Sequence, residues 1–382
     1  MKIALIGTRG VPASYSGFET CVDQLGRRLA ARGHDVTVYC RSHHITYPGD
    51  EYEGMKLVKL PTIRNKYLDT IVHTFISSIH ALFQRFDVAL YFIAGNSLLS
   101  WIPRMIGVPT ILNVDGLDWH REKWPFLAKK YIQFAEYLAT IFPTRFLTDS
   151  RHVQQYYRER FHSEPAYIPY GSEVDILPPG ETLKKFGLEP GKYILFVGRL
   201  VPENCVHHIL EAFRSIKTDL KCVIVGDAAY AEEYKASLRA LAGDDDRIIF
   251  TGYIFGEGYQ EMGSSAHIFV ESSGVGGTHP ALVEAMAFGS CVIVYNTPEN
   301  VETIGGGEAG FSYDGKVGGE ALREVLVRLI NNPDLVSEYR TKAQQFAREH
   351  YSWDAVTDEY EQLINETLTR RKTRKSRSQA PQ

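Results

Sequence analysis

Cysteine is scarce and shows no pairing pattern. The five cysteines are Cys21, Cys40, Cys205, Cys222 and Cys291; no two form a C-x-x-C pair and the number is odd. That argues against a disulfide framework or a zinc ribbon and for buried thiols in a reducing compartment. Long apolar runs are also missing. The nearest, residues 97–112, is broken by Arg104 and two prolines, so no membrane-spanning helix is expected. Met1 leads straight into the strand-like Lys2-Ile-Ala-Leu-Ile6, so no signal peptide is expected and the expected location is the cytoplasm. A Walker lysine is absent. A dinucleotide fingerprint fits poorly, because the first-loop glycines stand at 7, 10 and 17 and the second strand ends Tyr39-Cys40-Arg41 without an acid. Formal net charge is -4, and with no basic reading motif in the body, nucleic acid is not an expected partner.

What is present is ordinary for a globular protein. The 382 residues are 44% hydrophobic and 23% charged, which suits about two domains at roughly 150 residues each. Charge is uneven: Arg370, Arg371, Lys372, Arg374, Lys375 and Arg377 cluster without an acid.

Short apolar runs alternate with helical patterns. Ile3–Ile6, Val36–Cys40, Leu57–Leu60, Val88–Ile93, Thr110–Val114 and Arg145–Thr148 read as strands. Phe18, Cys21, Val22, Leu25 and Leu29 form one helical face, closed by Gly33. Leu68, Ile71, Val72, Phe75, Ile76, Ile79, Leu82 and Phe83 form another. A Pro/Gly break follows at 169–191, and the alternation restarts with strands at Tyr193–Val197, Lys221–Val225, Arg247–Phe250, Ile268–Val270 and Cys291–Val294. Helices are expected at Val206–Phe213, Ala281–Phe288, 318–331, 334–349 and 354–368. The expected fold is α/β, two Rossmann-like doubly wound domains, 1–172 and 173–350, facing across a cleft where the strand ends open.

Three stretches can carry chemistry. The first strand runs into Gly7-Thr8-Arg9-Gly10, and Gly17 opens the next helix. Such a loop offers backbone amides to an anion, and Arg9 suits phosphate or carboxylate. Ser16 and Glu19 fit a capping box. The second domain repeats the plan at Val197-Gly198-Arg199-Leu200-Val201-Pro202-Glu203-Asn204. Arg199 leaves a strand end, where a fixed cation stabilises a departing pyrophosphate; the alternative is a surface pair with Glu203. The third stretch is Glu271–Gly289, in which Gly276 and Gly277 precede Thr278, His279 and Pro280. Proline suits the first helical position, and the amides there with the Thr278 hydroxyl make an anion cradle. Glu284, one turn in, is placed to accept from both hydroxyls of a ribose, or is a half-exposed helix residue. His279 either joins the cradle or packs at the helix start.

With these residues on the page, the sequence resembles family 4 glycosyltransferases of the GT-B fold. The resemblance rests on Val283-Glu284-Ala285-Met286-Ala287-x-Gly289, the 197–203 run, the Gly-rich first loop and Tyr351-Ser-Trp353. The Gly-Val-Pro…Gly-Phe-Glu-Thr start, Asn113-Val-Asp-Gly-Leu-Asp-Trp119 and Gly-Gly-Thr-His-Pro at 276–280 resemble a bacterial subgroup that includes polysaccharide rhamnosyltransferases. The resemblance covers about residues 1–368. It implies transfer of a sugar from a nucleoside diphosphate to an acceptor hydroxyl, with retention and without a metal or other cofactor. It also implies a C-terminal crossover helix, 351–368, returning to the N-terminal domain, followed by a basic disordered tail, 369–382.

By the same resemblance, Arg199 meets the diphosphate and Glu284 the ribose. Gly277, Thr278 and His279 meet the phosphates or sugar, and Tyr253 lies in the loop holding the base. Arg9, Gly10, Asn204 and Gly226 complete the donor set. Asp115 joins Arg199 as catalytic, while Gly17, Asp118, Trp119 and His120 face the acceptor. Three positions depart from the family pattern: Gly276 stands where a glutamate pairs with Glu284, Asn204 where a lysine follows the proline-glutamate pair, and Asp115 where a histidine ends a strand. The loss at 276 fits a donor with fewer hydroxyls, such as a deoxyhexose. Asp115 either orients the reacting groups or acts as a base, or it caps the turn at Gly116.

Residues 119–131 interleave aromatic and basic side chains, which suits sugar stacking, an anionic membrane surface or a solvated helix face. The basic tail suits the inner leaflet of a membrane. A lipid-diphosphate-linked glycan acceptor would use both. Two other classes stay open: a sugar-nucleotide epimerase of similar shape, and a non-catalytic nucleotide-sugar binding module.

Overall fold

The computed structural model describes all residues except 14–16, 66–67, 115, 117–125, 229 and 379–382; for 370–378 it describes the backbone alone. The chain divides into two compact units, Met1–Gly171 with Trp353–Gln382, and Ser172–Ser352.

The first unit carries β1 (Lys2–Ile6), α1 (Gly17–Ala31), β2 (Asp35–Arg41), β3 (Glu51–Tyr52), β4 (Met55–Leu60), α2 (Asp69–Ala81), β5 (Val88–Phe92), β6 (Thr110–Asn113), α3 (Phe126–Ala139), β7 (Arg145–Thr148), α4 (Arg151–Phe161) and β8 (Ala166–Tyr167). Its sheet runs β3-β4-β2-β1-β5-β6-β7-β8. Only the β3–β4 pair is antiparallel. Strands such as Val-Ala-Leu-Tyr-Phe at 88–92 are buried throughout, as parallel strands covered on both faces must be.

The apolar face at residues 68–83 is only partly covered by the core, where Ile71 and Leu82 pack. α2 buries His73, Thr74, Ser77, Ser78 and Ala81, and Leu68, Phe75, Ile79 and Phe83 are exposed. The sheet beneath explains why polar residues of α2 face it. It presents the hydroxyls of Tyr39 and Tyr91 and the Arg41 guanidinium, and buried polar groups need partners. Ser78 Oγ meets Tyr91 Oη at 2.7 Å, His80 Nδ1 meets Tyr39 Oη at 3.0 Å, and Arg41 donates to Asp69 at 2.8 Å and Thr70 at 3.0 Å.

The second unit carries α5 (Glu181–Lys185), β9 (Tyr193–Val197), α6 (Val206–Arg214), β10 (Lys221–Val225), α7 (Glu232–Ala242), β11 (Ile248–Gly252), α8 (Glu257–Ser265), β12 (Ile268–Glu271), α9 (Pro280–Ala287), β13 (Cys291–Tyr295), α10 (Pro298–Thr303), β14 (Phe311–Tyr313), α11 (Gly319–Ile330) and α12 (Pro333–His350). Its sheet is parallel, in the order β11-β10-β9-β12-β13-β14. Strand order reverses at β9, so the crevice beyond the ends of β9 and β12 is where ligands bind in sheets of this kind. α6 buries Val206, Ile209, Leu210 and Phe213, a single stripe at helical spacing.

The last helix, α13 (Trp353–Ser378), belongs to the first unit. Trp353, Val356, Tyr360, Leu363 and Ile364 lie in that unit's core beside β1 and α1 residues, and Asn113 Nδ2 donates to Tyr360 Oη at 3.0 Å. The backbone stays helical ten residues past 368, through a Thr/Arg/Lys-rich run in which Arg and Lys are good helix formers.

Candidate active site

In the second unit, three strand ends are fastened together by backbone contacts that only glycine allows. Gly226 has φ +135°, and a Cβ there would lie 1.8 Å from the Gly198 carbonyl oxygen. Gly198 N donates to Val225 O at 3.0 Å and Gly226 N to Gly252 O at 2.9 Å. The loops after β9, β10 and β11 are thereby held in register. The β9 loop is also tied to the segment after β12. Asn204 Nδ2 donates to Arg199 O at 2.8 Å, Ser272 Oγ to Asn204 O at 2.6 Å, and Gly274 N to Glu203 O at 2.9 Å. Buried Asn300 closes the far side by donating to Ser273 O and Tyr295 O.

Within this frame Arg199 is half-buried, and its guanidinium donates to the Tyr230 hydroxyl at 3.5 Å at the surface. Glu203 is buried, and among the described residues no carboxylate lies within ion-pair distance of Arg199; the alternative pairing with Glu203 is not formed. Tyr253 donates to Asp227 O at 2.8 Å and stacks on Phe255 with an interplanar angle of 18°. Both aromatic rings are exposed.

The turn into α9 is built as the sequence suggests. His279 is the N-cap residue with extended φ/ψ, Pro280 follows in the first turn, and the His279 side chain makes no cap hydrogen bond. Thr278 is buried and Gly277 lies beside it. Gly276 has φ +155°, and a Cβ there would meet the His279 ring at 2.8 Å. The imidazole thus fills the space next to position 276. Glu284 is half-buried, and Tyr259 of α8 donates to its Oε2 at 2.5 Å. Burial pushes the Glu284 carboxyl up to about 7, only partly offset by that hydrogen bond. Tyr259 was not legible in the sequence: it lies 25 residues from Glu284, on a helix whose spacing gives no hint of the contact.

The first unit places Arg9, Gly10 and Gly17 at the end of β1 and the start of α1. Here the expected anion cradle is corrected. Arg9 N donates to Glu19 Oε1 at 3.0 Å, Gly10 N to Thr8 Oγ1 at 3.2 Å, and Ala13 N to Asp23 Oδ2 at 3.0 Å. Buried side chains of this chain already hold those amides. Glu19 thus reaches back to the loop, and Ser16, its expected capping partner, lies outside the described residues. Gly10 serves close packing, since a Cβ would lie 2.5 Å from Cys40 Sγ. Asp115, Asp118, Trp119 and His120 also lie outside the described residues. Among the described residues, no helix is long and apolar enough to cross a membrane.

Residues 181–350 match the family described as Glycosyl transferases group 1. The fold is GT-B. Residues 1–173 match a Domain of unknown function (DUF1972). The chain is similar to MJ1069 of Methanocaldococcus jannaschii, a glycosyltransferase by name, at 27% identity over 45% of the chain; it spans 44% of that relative's length. It is similar to YtcC of Bacillus subtilis, also a glycosyltransferase by name, at 23% identity over 97% of the chain and 93% of YtcC. Sucrose-phosphate synthase from Thermosynechococcus elongatus superposes with a TM-score of 0.82 at 19% identity, covering 96% of this chain and 99% of that one. Anabaena HepE in complex with UDP-glucose gives 0.77 at 17% identity, covering 97% and 99%. The family match is confined to residues 181–350, under half of the chain, and the superpositions show the fold.

Proposed function

We propose that the protein moves a hexosyl or deoxyhexosyl group, rhamnose being one candidate, from a nucleoside-diphosphate sugar to a glycan or lipid-linked glycan. In this reading the anomeric configuration is retained and no metal takes part, as in family 4 enzymes. The observation that carries it is the stitched switch point of the second unit: the Arg199 loop is bonded through Asn204 to Ser272, in the segment that leads into α9 and Glu284. Arg199 and the α9 start stabilise the diphosphate as the anomeric carbon–oxygen bond breaks. Glu284 holds the ribose, and Tyr253 the base. Asp115 orients the acceptor hydroxyl, whose oxygen bonds to the anomeric carbon and whose proton passes to the departing phosphate. HepE with UDP-glucose supports a donor of this class.

The acceptor is lipid-linked in this reading, and the first unit lies on a membrane surface. Two rows of exposed apolar side chains support that. α2 contributes Phe75 and Ile79, the turn after it Phe83, and α3 contributes Leu127, Phe134 and Tyr137, with Phe83 78% and Leu127 79% exposed. Both helices pack on the 3₁₀ turn Ala94–Leu99. Lys130 stands over the Phe126 ring in the α3 row, and the basic segment 370–377 adds charge attraction.

The deciding experiment incubates the protein with a panel of nucleotide sugars and lipid-diphosphate sugar acceptors, read by mass spectrometry. Acceptor-dependent nucleotide release with a glycosylated lipid supports the proposal. Altered sugar still attached to nucleotide would instead identify an epimerase, and binding without turnover a binding module. Arg199→Ala should lower turnover far more than donor affinity. Phe83→Ser with Leu127→Ser should abolish sedimentation with anionic vesicles while leaving transfer to a soluble acceptor intact.

A further inference from the structure

The geometry points to a binding site for a soft divalent metal ion, zinc in the first instance, formed by Cys205, His207 and His208. The site is separate from the residues assigned to sugar transfer. One ligand atom from each of the three lies within 4.8 Å of the others. The backbone builds this cluster. The 3₁₀ turn Pro202–Asn204 ends at Cys205, which takes the left-handed conformation (φ +47°) and caps α6. His207 and His208 follow in the first turn of that helix, so residues close in sequence converge.

The imidazoles are held by partners suited to metal ligands. The Tyr234 hydroxyl lies 2.9 Å from His207 Nδ1, and the Tyr313 hydroxyl 3.2 Å from His208 Nδ1. The two phenols come from α7 and β14, so three elements fix the ring orientations. A ligating histidine characteristically has its second nitrogen engaged in this way, leaving the other for the ion. His208 also stacks on Tyr295 at an interplanar angle of 22°.

The donor set decides the ion. One thiolate and two imidazoles suit zinc, or another borderline-soft metal, and three protein ligands leave a fourth position for water. Magnesium and calcium, which take oxygen ligands, are disfavoured. Binding releases the thiol proton to solvent and forms a sulfur–metal bond, with no change of oxidation state. An occupied site would also pin the turn that carries Asn204.

Cobalt(II) chloride alone, added to chelator-stripped full-length protein, is the probe. One equivalent should bind with a thiolate-to-cobalt charge-transfer band, and zinc should displace it. A second readout needs no variant. Cys21, Cys40, Cys222 and Cys291 are buried and Cys205 is half-exposed, so iodoacetamide should label Cys205 first in the folded protein. Zinc should slow that labelling by about tenfold or more, magnesium should not, and Tyr313→Phe should weaken cobalt binding about tenfold. The proposal is overturned if no charge-transfer band forms, if zinc leaves Cys205 labelling unchanged, or if His207→Gln binds cobalt as wild type does.

Discussion

Glu284 gives the sharpest test, because its carboxyl is raised to about 7 by burial. In the unfolded chain the group titrates near its ordinary 4.5. Between these values the folded protein holds a proton that the unfolded chain has released. Stability therefore falls as pH rises from about 4.5 to about 7, and this contribution is flat beyond. At about 1.4 kcal/mol per pKa unit the full effect would be roughly 3 kcal/mol. Solvent still reaches the side chain, so a loss of about 1–2 kcal/mol is expected. Glu284→Gln cannot ionise and keeps an oxygen for the Tyr259 hydroxyl, so the slope should vanish. The assay is urea unfolding of wild type and variant at about pH 5 and about pH 8, following the transition of the second unit. The variant should gain on wild type by about 1–2 kcal/mol at the higher pH. Nucleotide binding should show the opposite trend. A ribose hydroxyl donates better to a carboxylate, so wild-type affinity should rise through pH 7, while the variant stays weaker by about 1–3 kcal/mol. Parallel stability curves for the two proteins would refute the buried-carboxyl reasoning, and wild-type nucleotide affinity in the variant would refute the ribose contact.

Gly226→Ala should cost about 3 kcal/mol or more, since its Cβ would overlap the Gly198 carbonyl. Gly256→Ala, at φ +58° with nothing within 4 Å, should cost only about 1 kcal/mol; equal urea midpoints for the two would contradict the close approach. Gly276→Glu should impair donor binding by colliding with the His279 ring, and adding His279→Ala should recover part of the loss in calorimetric titration. If the double variant is no better than the single, the imidazole is not the obstacle. Asp115→Asn should lower turnover far more than donor affinity, and unchanged turnover would remove it from the proposed reaction.

Much of the fold was legible because buried parallel strands are written as short apolar runs, as in Tyr193–Val197 and Cys291–Tyr295. α4 and α7 were not, because α4 buries only Val153 and Tyr157, and α7 only Leu238 and Ala242, too narrow a stripe to stand out. The apolar pattern at 68–83 found the helix but not its buried side, which also carries His73, Ser77 and Ser78, since periodicity does not report which side meets tyrosine hydroxyls and an arginine. In the candidate site, proline and glycine marked the start of α9 correctly. The first glycine loop misled for a related reason: its glycines serve close packing, and the carboxylates that take its amides, Glu19 and Asp23, lie farther along the chain.

The return of α13 to the first unit has a consequence for biosynthesis. Residues 172–352 leave the ribosome as a complete unit, whereas the preceding 171 residues still lack Trp353, Tyr360 and Ile364 from their interior. The part made first is therefore finished last. A nascent or nicked chain ending before residue 353 would expose the apolar groove that α13 fills, making premature termination a direct route to aggregation.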